Sequence, residues 1–251
     1  MELPTAKVPA LFKSPRKLLI YSPPKCGKTT LASMLSELAN ALLVDLEEGS
    51  DFLDAMKVKV KSVEELRELV KALREPSAPK YKYGIIDTTT KLEDMILPYA
   101  GQLYRETPMG KSWGKLKDGT DDPTANVLTL PNGAGYLYLR EAYTKISNVL
   151  DSCLERVIYM GHLKDKMLEK NGKEVSARDI DLTGKIRNIA CANADAIGYL
   201  YREGNKTILT FKTSQDVICG ARPEHLRDKE IVMLEYNDDK FTHHWDEIYI
   251  D

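Results

Sequence analysis

Short apolar runs and amphipathic stretches alternate along the first two thirds of the chain. Residues 17–21 (KLLIY) are followed by a turn-rich segment, and beyond it Leu31, Met34, Leu35, Leu38 and Ala39 recur at helical spacing. This pattern predicts strand, loop and helix. Residues 41–45 (ALLVD) read as a second buried strand and 58–61 (VKVK) as a short alternating one, while Ser62-Val-Glu-Glu65 is a capping box that opens a helix reaching about Arg74. Residues 83–87 (YGIID) are again a buried strand, with a helix expected from about Lys91 to Tyr104. A second helix, from about Tyr136 to Leu154, carries Leu139, Ala142, Tyr143, Ile146, Val149, Leu150 and Cys153 on one face, and residues 156–161 (RVIYMG) form the next strand. Buried strands alternating with helices of this length predict an α/β fold with a mostly parallel central sheet flanked by helices.

The last third has a different rhythm. Asn171-Gly172 and Gly204-Asn205 each stand between two strand-like arms, which predicts C-terminal antiparallel hairpins. A segment from about Arg105 to Gly135, rich in Gly, Pro, Thr and Asp, has the length and composition of a functional loop. No linker composition or internal repeat divides the chain, so the expected organisation is an N-terminal arm, residues 1–16, and a single domain over residues 17–251.

Composition excludes little. The 251 residues are 43% hydrophobic with a formal net charge of −2, so any contact with nucleic acid has to be local rather than driven by a global basic field. No apolar run approaches signal-peptide or membrane-spanning length, which leads to the expectation of a cytoplasmic protein without a membrane partner. The four cysteines, Cys26, Cys153, Cys191 and Cys219, include no C-x-x-C pair and are read as isolated thiols.

The turn after the first strand carries the clearest chemistry. Ser22, Pro23, Pro24, Lys25, Cys26, Gly27, Lys28, Thr29 and Thr30 match the end of a phosphate-binding loop, G-x-x-x-x-G-K-[ST], with Ser22 in place of the first glycine. In such a loop the backbone amides and the helix amino terminus wrap a β-phosphate, the lysine reaches the β- and γ-phosphates, and the hydroxyl binds magnesium. The first glycine makes the turn out of the strand. Ser22 is small and the two prolines fix φ for a sharp bend, so a nucleotide site with ATP and Mg2+ is expected. Asp87, at the end of a neighbouring buried strand, suits a magnesium ligand acting through water, together with Thr29. Thr88 follows it where some sites place a glutamate, so the water-activating carboxylate has to come from elsewhere; Asp45, Glu47 and Glu48 close the second strand, and a solvated strand end remains the alternative for them.

The series SPPKCGKTT, VDLEEGS, YGIIDTTTKLEDMI, VIYMGHLKDK and ADAIGYLY resembles the core-only RecA-like ATPases of phages, over residues 17–220. The resemblance implies a RecA-like P-loop NTPase core, ATP hydrolysis, and handling of single-stranded DNA in recombination or annealing, in a host cytosol if phage-encoded. It also implies a homo-oligomeric ring or filament with ATP between subunits. Glu47 matches the family's catalytic glutamate. His162 matches the strand-end position at which RecA proper has a γ-phosphate-sensing glutamine, so Lys28, Glu47, Asp87 and His162 form the expected catalytic set. The family's two DNA loops fall here on the long glycine-rich segment, with Lys111, Trp113, Lys115 and Lys117 as candidates, and on residues 163–182, with Lys164 and Lys166. Lys212 and Arg222 are candidate fingers toward a neighbouring subunit. A small-molecule or nucleotide kinase whose lid is the long cationic loop, and a nucleotide-gated regulatory module without DNA, remain open alternatives.

Overall fold

A computed structural model describes the chain except residues 1, 2, 4, 39, 171, 172, 215 and 239, and it leaves undescribed the side chains of 37, 38, 166–170 and 173–176. The parallel part of the sheet is built from β1 (Lys17–Ser22), β2 (Ala41–Asp45), β3 (Lys57–Lys59), β4 (Tyr83–Asp87), β5 (Arg156–Lys170) and β7 (Ala196–Glu203). Antiparallel strands β6 (Lys173–Ile180), β8 (Lys206–Thr210), β9 (Gly220–Ala221), β10 (Glu230–Asn237) and β11 (Lys240–His243) complete it. The order is β11-β10-β8-β7-β1-β5-β4-β2-β3, with β6 on β5 and β9 on β7.

Every residue of β2 and β4 is buried, as the uninterrupted apolar runs require of strands covered on both faces. One face is packed by helix α1 (Lys28–Leu38) together with the C-terminal segment, where Leu31, Ala32 and Leu35 meet Leu209, Met233, Leu234, Trp245 and Ile248. Trp245 is fully buried there, and its indole Nε1 donates to the Leu31 carbonyl at 2.9 Å. The opposite face is covered by α2 (Val63–Arg74), α3 (Thr89–Met95), α4 (Leu97–Arg105), α5 (Gly135–Cys153) and α6 (Gly184–Asn193). The Ser62 cap forms as expected, its Oγ accepting from the Glu65 amide at 3.2 Å; Glu65 in turn accepts from the Lys61 amide, one residue before the usual partner.

The structure departs from the sequence pattern at three places. The helix expected over 91–104 is two helices, α3 and α4, because Pro98 in the first turn of α4 has no amide to continue α3 and its ring would strike the preceding turn. The strand expected over 156–161 runs on through His162 to Lys170 and pairs with β6 from Leu163↔Ile180 to Lys170↔Lys173, so the arms of the expected hairpin form, one of them as a continuation of β5, and most of the segment 163–182 expected to act as a DNA loop is this ribbon. The Asn171-Gly172 turn itself lies outside the described residues. Third, β10 and β11 form where the pattern above places no element, and a bulge between Val232 and Leu234 interrupts the alternation of β10. The Gly204-Asn205 hairpin forms as expected, with Glu203↔Lys206 closing it and Gly204 at φ 59°.

Gly84 is a position where this packing admits no side chain: a Cβ there would lie 2.1 Å from Leu154 Cδ1. Gly84→Ala is expected to lower stability by about 1–3 kcal/mol through overpacking, read as a reduced urea midpoint at unchanged slope.

Candidate nucleotide site

Parallel register brings the strand ends to one level. Ser22 of β1 lies opposite His162 of β5, Asp87 of β4 opposite Met160, and Asp45 of β2 opposite Asp87. Between β1 and α1 the chain turns through Lys25 at φ 62° and Gly27 at φ 92°, a left-handed conformation that at Gly27 favours glycine. The first turn of α1, Lys28 to Thr30, contains no acidic residue, so nothing competes with an anion for its free amides.

Ser22, in place of glycine, has a definite role in this loop. Its hydroxyl donates to the Pro23 carbonyl at 2.8 Å and accepts from Lys28 Nζ at 2.9 Å, which folds the buried lysine back onto its own loop. Burial lowers the pKa of Lys28, while the charges of Asp87 and Glu47 oppose that shift. Thr29 Oγ1 donates to Asp87 Oδ2 at 2.8 Å. Burial pushes the Asp87 carboxyl up to about 6; the Thr29 hydrogen bond lowers it and the Glu47 charge raises it. Two adjacent hard oxygens, one on a carboxylate whose charge its surroundings leave poorly compensated, fit Mg2+, which takes few protein ligands and fills its remaining positions with water and phosphate oxygens.

The three acids after β2 divide by role. Asp45 is buried and accepts from the amides of Glu47 (3.0 Å), Gly49 (3.3 Å) and Ser50 (3.0 Å) and from Ser50 Oγ (2.5 Å). Burial alone would raise its pKa, but these hydrogen bonds hold it below the ordinary carboxylate value. Glu48 pairs with Lys61. Glu47 is the acid presented to the site: its Oε1 accepts from Thr88 Oγ1 at 2.7 Å and lies 2.8 Å from His162 Nε2. The expected water-activating glutamate and the expected sensor are therefore in direct contact. His162 Nδ1 is buried without a hydrogen-bond partner among the described residues.

The DNA candidates are dispersed. Trp113 packs edge-on against Tyr104 at 5.4 Å and close over Gly101, so the ring expected to stack on a base is partly taken up by α4. Lys115 pairs with Asp121 at 2.5 Å and Lys164 with Asp181 at 2.8 Å; Lys111 and Lys117 are exposed, and the Lys166 side chain lies outside the description. Lys212 is paired with Glu230. Arg222 pairs with Asp195 at 3.1 Å beside the start of β7, the end of the strand away from the phosphate loop. The sequence reading missed a groove of about 580 Å³ between the starts of α5 and α6, where Tyr136, Leu137 and Arg140 face Thr183, Gly184 and Lys185. Tyr136 and Leu137 are both 49% exposed, an adjacent pair of large apolar side chains left in water. Glu93, also unanticipated, is buried and accepts from the Thr183 amide at 2.9 Å, which ties α3 to the start of α6.

A family model described as "AAA domain" matches residues 14–222. The chain belongs to that family. Residues 14–222 therefore form an AAA-type P-loop NTPase domain, and β10, β11 and the C-terminal segment lie beyond the matched stretch. The comparison with curated proteins gives no match. Among solved structures, one titled "Crystal structure of the RadB recombinase" aligns over 91% of this chain and 90% of that one, at 12% identity and a TM-score of 0.49. No helix among the described residues is long and apolar enough to cross a membrane.

Two outcomes follow for this AAA-type site. Asp45→Ala leaves three amides and the Ser50 hydroxyl without their acceptor and is expected to cost about 2–4 kcal/mol in chemical denaturation, at least one buried hydrogen-bonding group going unsatisfied. Alkylation of Cys26, half-buried within the loop, is expected to abolish nucleotide binding, and bound ATP is expected to slow the alkylation, measured by mass spectrometry of the Cys26 peptide.

Proposed function

We propose that the protein is a magnesium-dependent ATPase of RecA-like type that acts on single-stranded DNA in recombination or annealing, as an oligomer with ATP between subunits. The observation that carries the ATPase reading is the placement of Glu47, held by Thr88 and His162 at the same level as the Thr29–Asp87 pair. A carboxylate at that position suits a base that orients and deprotonates water for in-line attack on a γ-phosphate.

In this mechanism Lys28 leaves Ser22 for the β- and γ-phosphates, and its positive charge offsets the charge that develops on the γ-phosphoryl oxygens. The water oxygen forms a bond to phosphorus as the bond to the β–γ bridging oxygen breaks, and Glu47 takes the water proton. A bound Mg2+, held by Thr29 and through water by Asp87, would supply further charge neutralisation on the phosphates. His162 reports the state of the site: its bond to Glu47 has to be exchanged when Glu47 engages the attacking water, and β5 carries that change directly into the β5–β6 ribbon.

For the DNA path, the groove of Tyr136, Arg140 and Lys185 supports the reading better than the long loop does. It joins an exposed aromatic to cations and to two helix starts without side-chain caps, the combination that suits base stacking and phosphate contact. Lys111 and Lys117 add exposed cations from the loop.

The deciding measurement is ATP turnover with and without single-stranded DNA. DNA is expected to stimulate it. Lys28→Ala is expected to abolish turnover, and Glu47→Gln to keep ATP binding while lowering kcat by roughly 10²–10⁴. Tyr136→Ala with Arg140→Ala should weaken DNA binding and flatten its salt dependence at unchanged ATP affinity. Phosphate transfer to a nucleoside monophosphate would replace this reading with a kinase.

A further inference from the structure

The ribbon of β8, β10 and β11 stands directly beside the phosphate loop. A Cβ on Gly27 would lie 3.6 Å from Leu234 Cδ1 and 3.7 Å from Thr207 Oγ1, and these two residues pair across β10 and β8. Leu234 belongs to the cluster on the α1 face of the sheet, so this is the face of the ribbon that looks toward the loop and its helix. Two residues further along β10 is Tyr236, on the same face by the alternation of a strand, with Phe241 directly opposite on β11. Their rings lie 4.8 Å apart at 45°. Glu235, between Leu234 and Tyr236, is on the other face and pairs with Lys206 at 2.8 Å, which confirms the alternation.

Tyr236 is 39% and Phe241 46% exposed. This partly exposed aromatic pair stands about 7 Å, two strand residues, beyond the point where the ribbon touches the phosphate loop. That separation is within the reach of a nucleoside whose phosphates occupy the loop. The carbonyl of Asn205 accepts from the Tyr236 backbone amide at 3.0 Å, and Asn205 Nδ2 donates to Asn237 Oδ1 at 2.7 Å, so the end of the ribbon that carries the pair is tied across strands. All of these residues of β10 and β11 lie outside the stretch that matches the family.

We propose that Tyr236 and Phe241 form the platform on which the nucleobase of the bound nucleotide stacks, which makes the C-terminal ribbon a nucleotide-recognising element. This rests on the phosphate-loop reading above. Base stacking on an aromatic side chain is insensitive to the hydrogen-bonding edge of the base, so the platform favours purines by area and discriminates weakly between ATP and GTP.

The test is calorimetric titration of the wild-type chain and of the Tyr236→Ala/Phe241→Ala variant with ATP and with inorganic tripolyphosphate, both with MgCl2. The expected result is an ATP Kd raised tenfold or more in the variant with the tripolyphosphate Kd unchanged, and near wild-type ATP affinity in Tyr236→Phe. Equal ATP affinity in the variant and the wild type would overturn the platform and leave the loop intact. Loss of both ligands in the variant would place the effect in the loop or the fold and also overturn it. Failure of the wild type to bind either ligand would remove the phosphate-loop reading itself, and the platform with it.

Discussion

Parallel pairing of β1, β5, β4 and β2 in a fixed register is the constraint on which the site depends. Because side chains alternate, a slip of one residue in any of these strands would turn its last side chain to the other face of the sheet. Register is strongly specified wherever a face of the strand is buried, and β2 and β4 are buried along their whole length. The same apolar runs that make the core thus fix where Ser22, Asp45, Asp87 and His162 stand relative to one another.

Around that frame the polar groups form a connected set. Asp45 shapes the turn that presents Glu47, Thr88 and His162 hold the Glu47 carboxylate, and Thr29 joins the helix of the phosphate loop to Asp87. Each of these groups has a partner within the protein, Lys28 with Ser22 being the clearest case. A nucleotide bound there would exchange existing hydrogen bonds for new ones. Lys28 and Asp87 have pKa values shifted toward their neutral forms by burial, so phosphate and metal would restore the charges that burial disfavours.

Much of this was legible in the sequence because it is local. The strand, loop and helix around GKT, the Ser62 cap and the Gly204 hairpin are each specified by residues within a few positions of one another. Glu47 was distinguishable from Asp45 and Glu48 only by the family resemblance, since the turn that buries one acid and presents another depends on backbone geometry that composition does not show. Trp113 read as a free aromatic because its partners, Gly101 and Tyr104, belong to a helix that the pattern placed but could not orient. The groove at Tyr136 was missed because it forms between the ends of two helices some fifty residues apart in sequence, and the ribbon at Tyr236 because a bulge interrupts its alternation.

The bond from Trp245 to the Leu31 carbonyl joins residues 214 positions apart. On a growing chain, the helix that follows the phosphate loop is made early and waits for this packing partner until residue 245 has emerged. Contacts this distant in sequence close late, after the loop entropy between them has been overcome. Seating of that helix is thereby tied to synthesis of the segment around Trp245: a chain interrupted before that residue would carry the GKT motif without this packing on its helix.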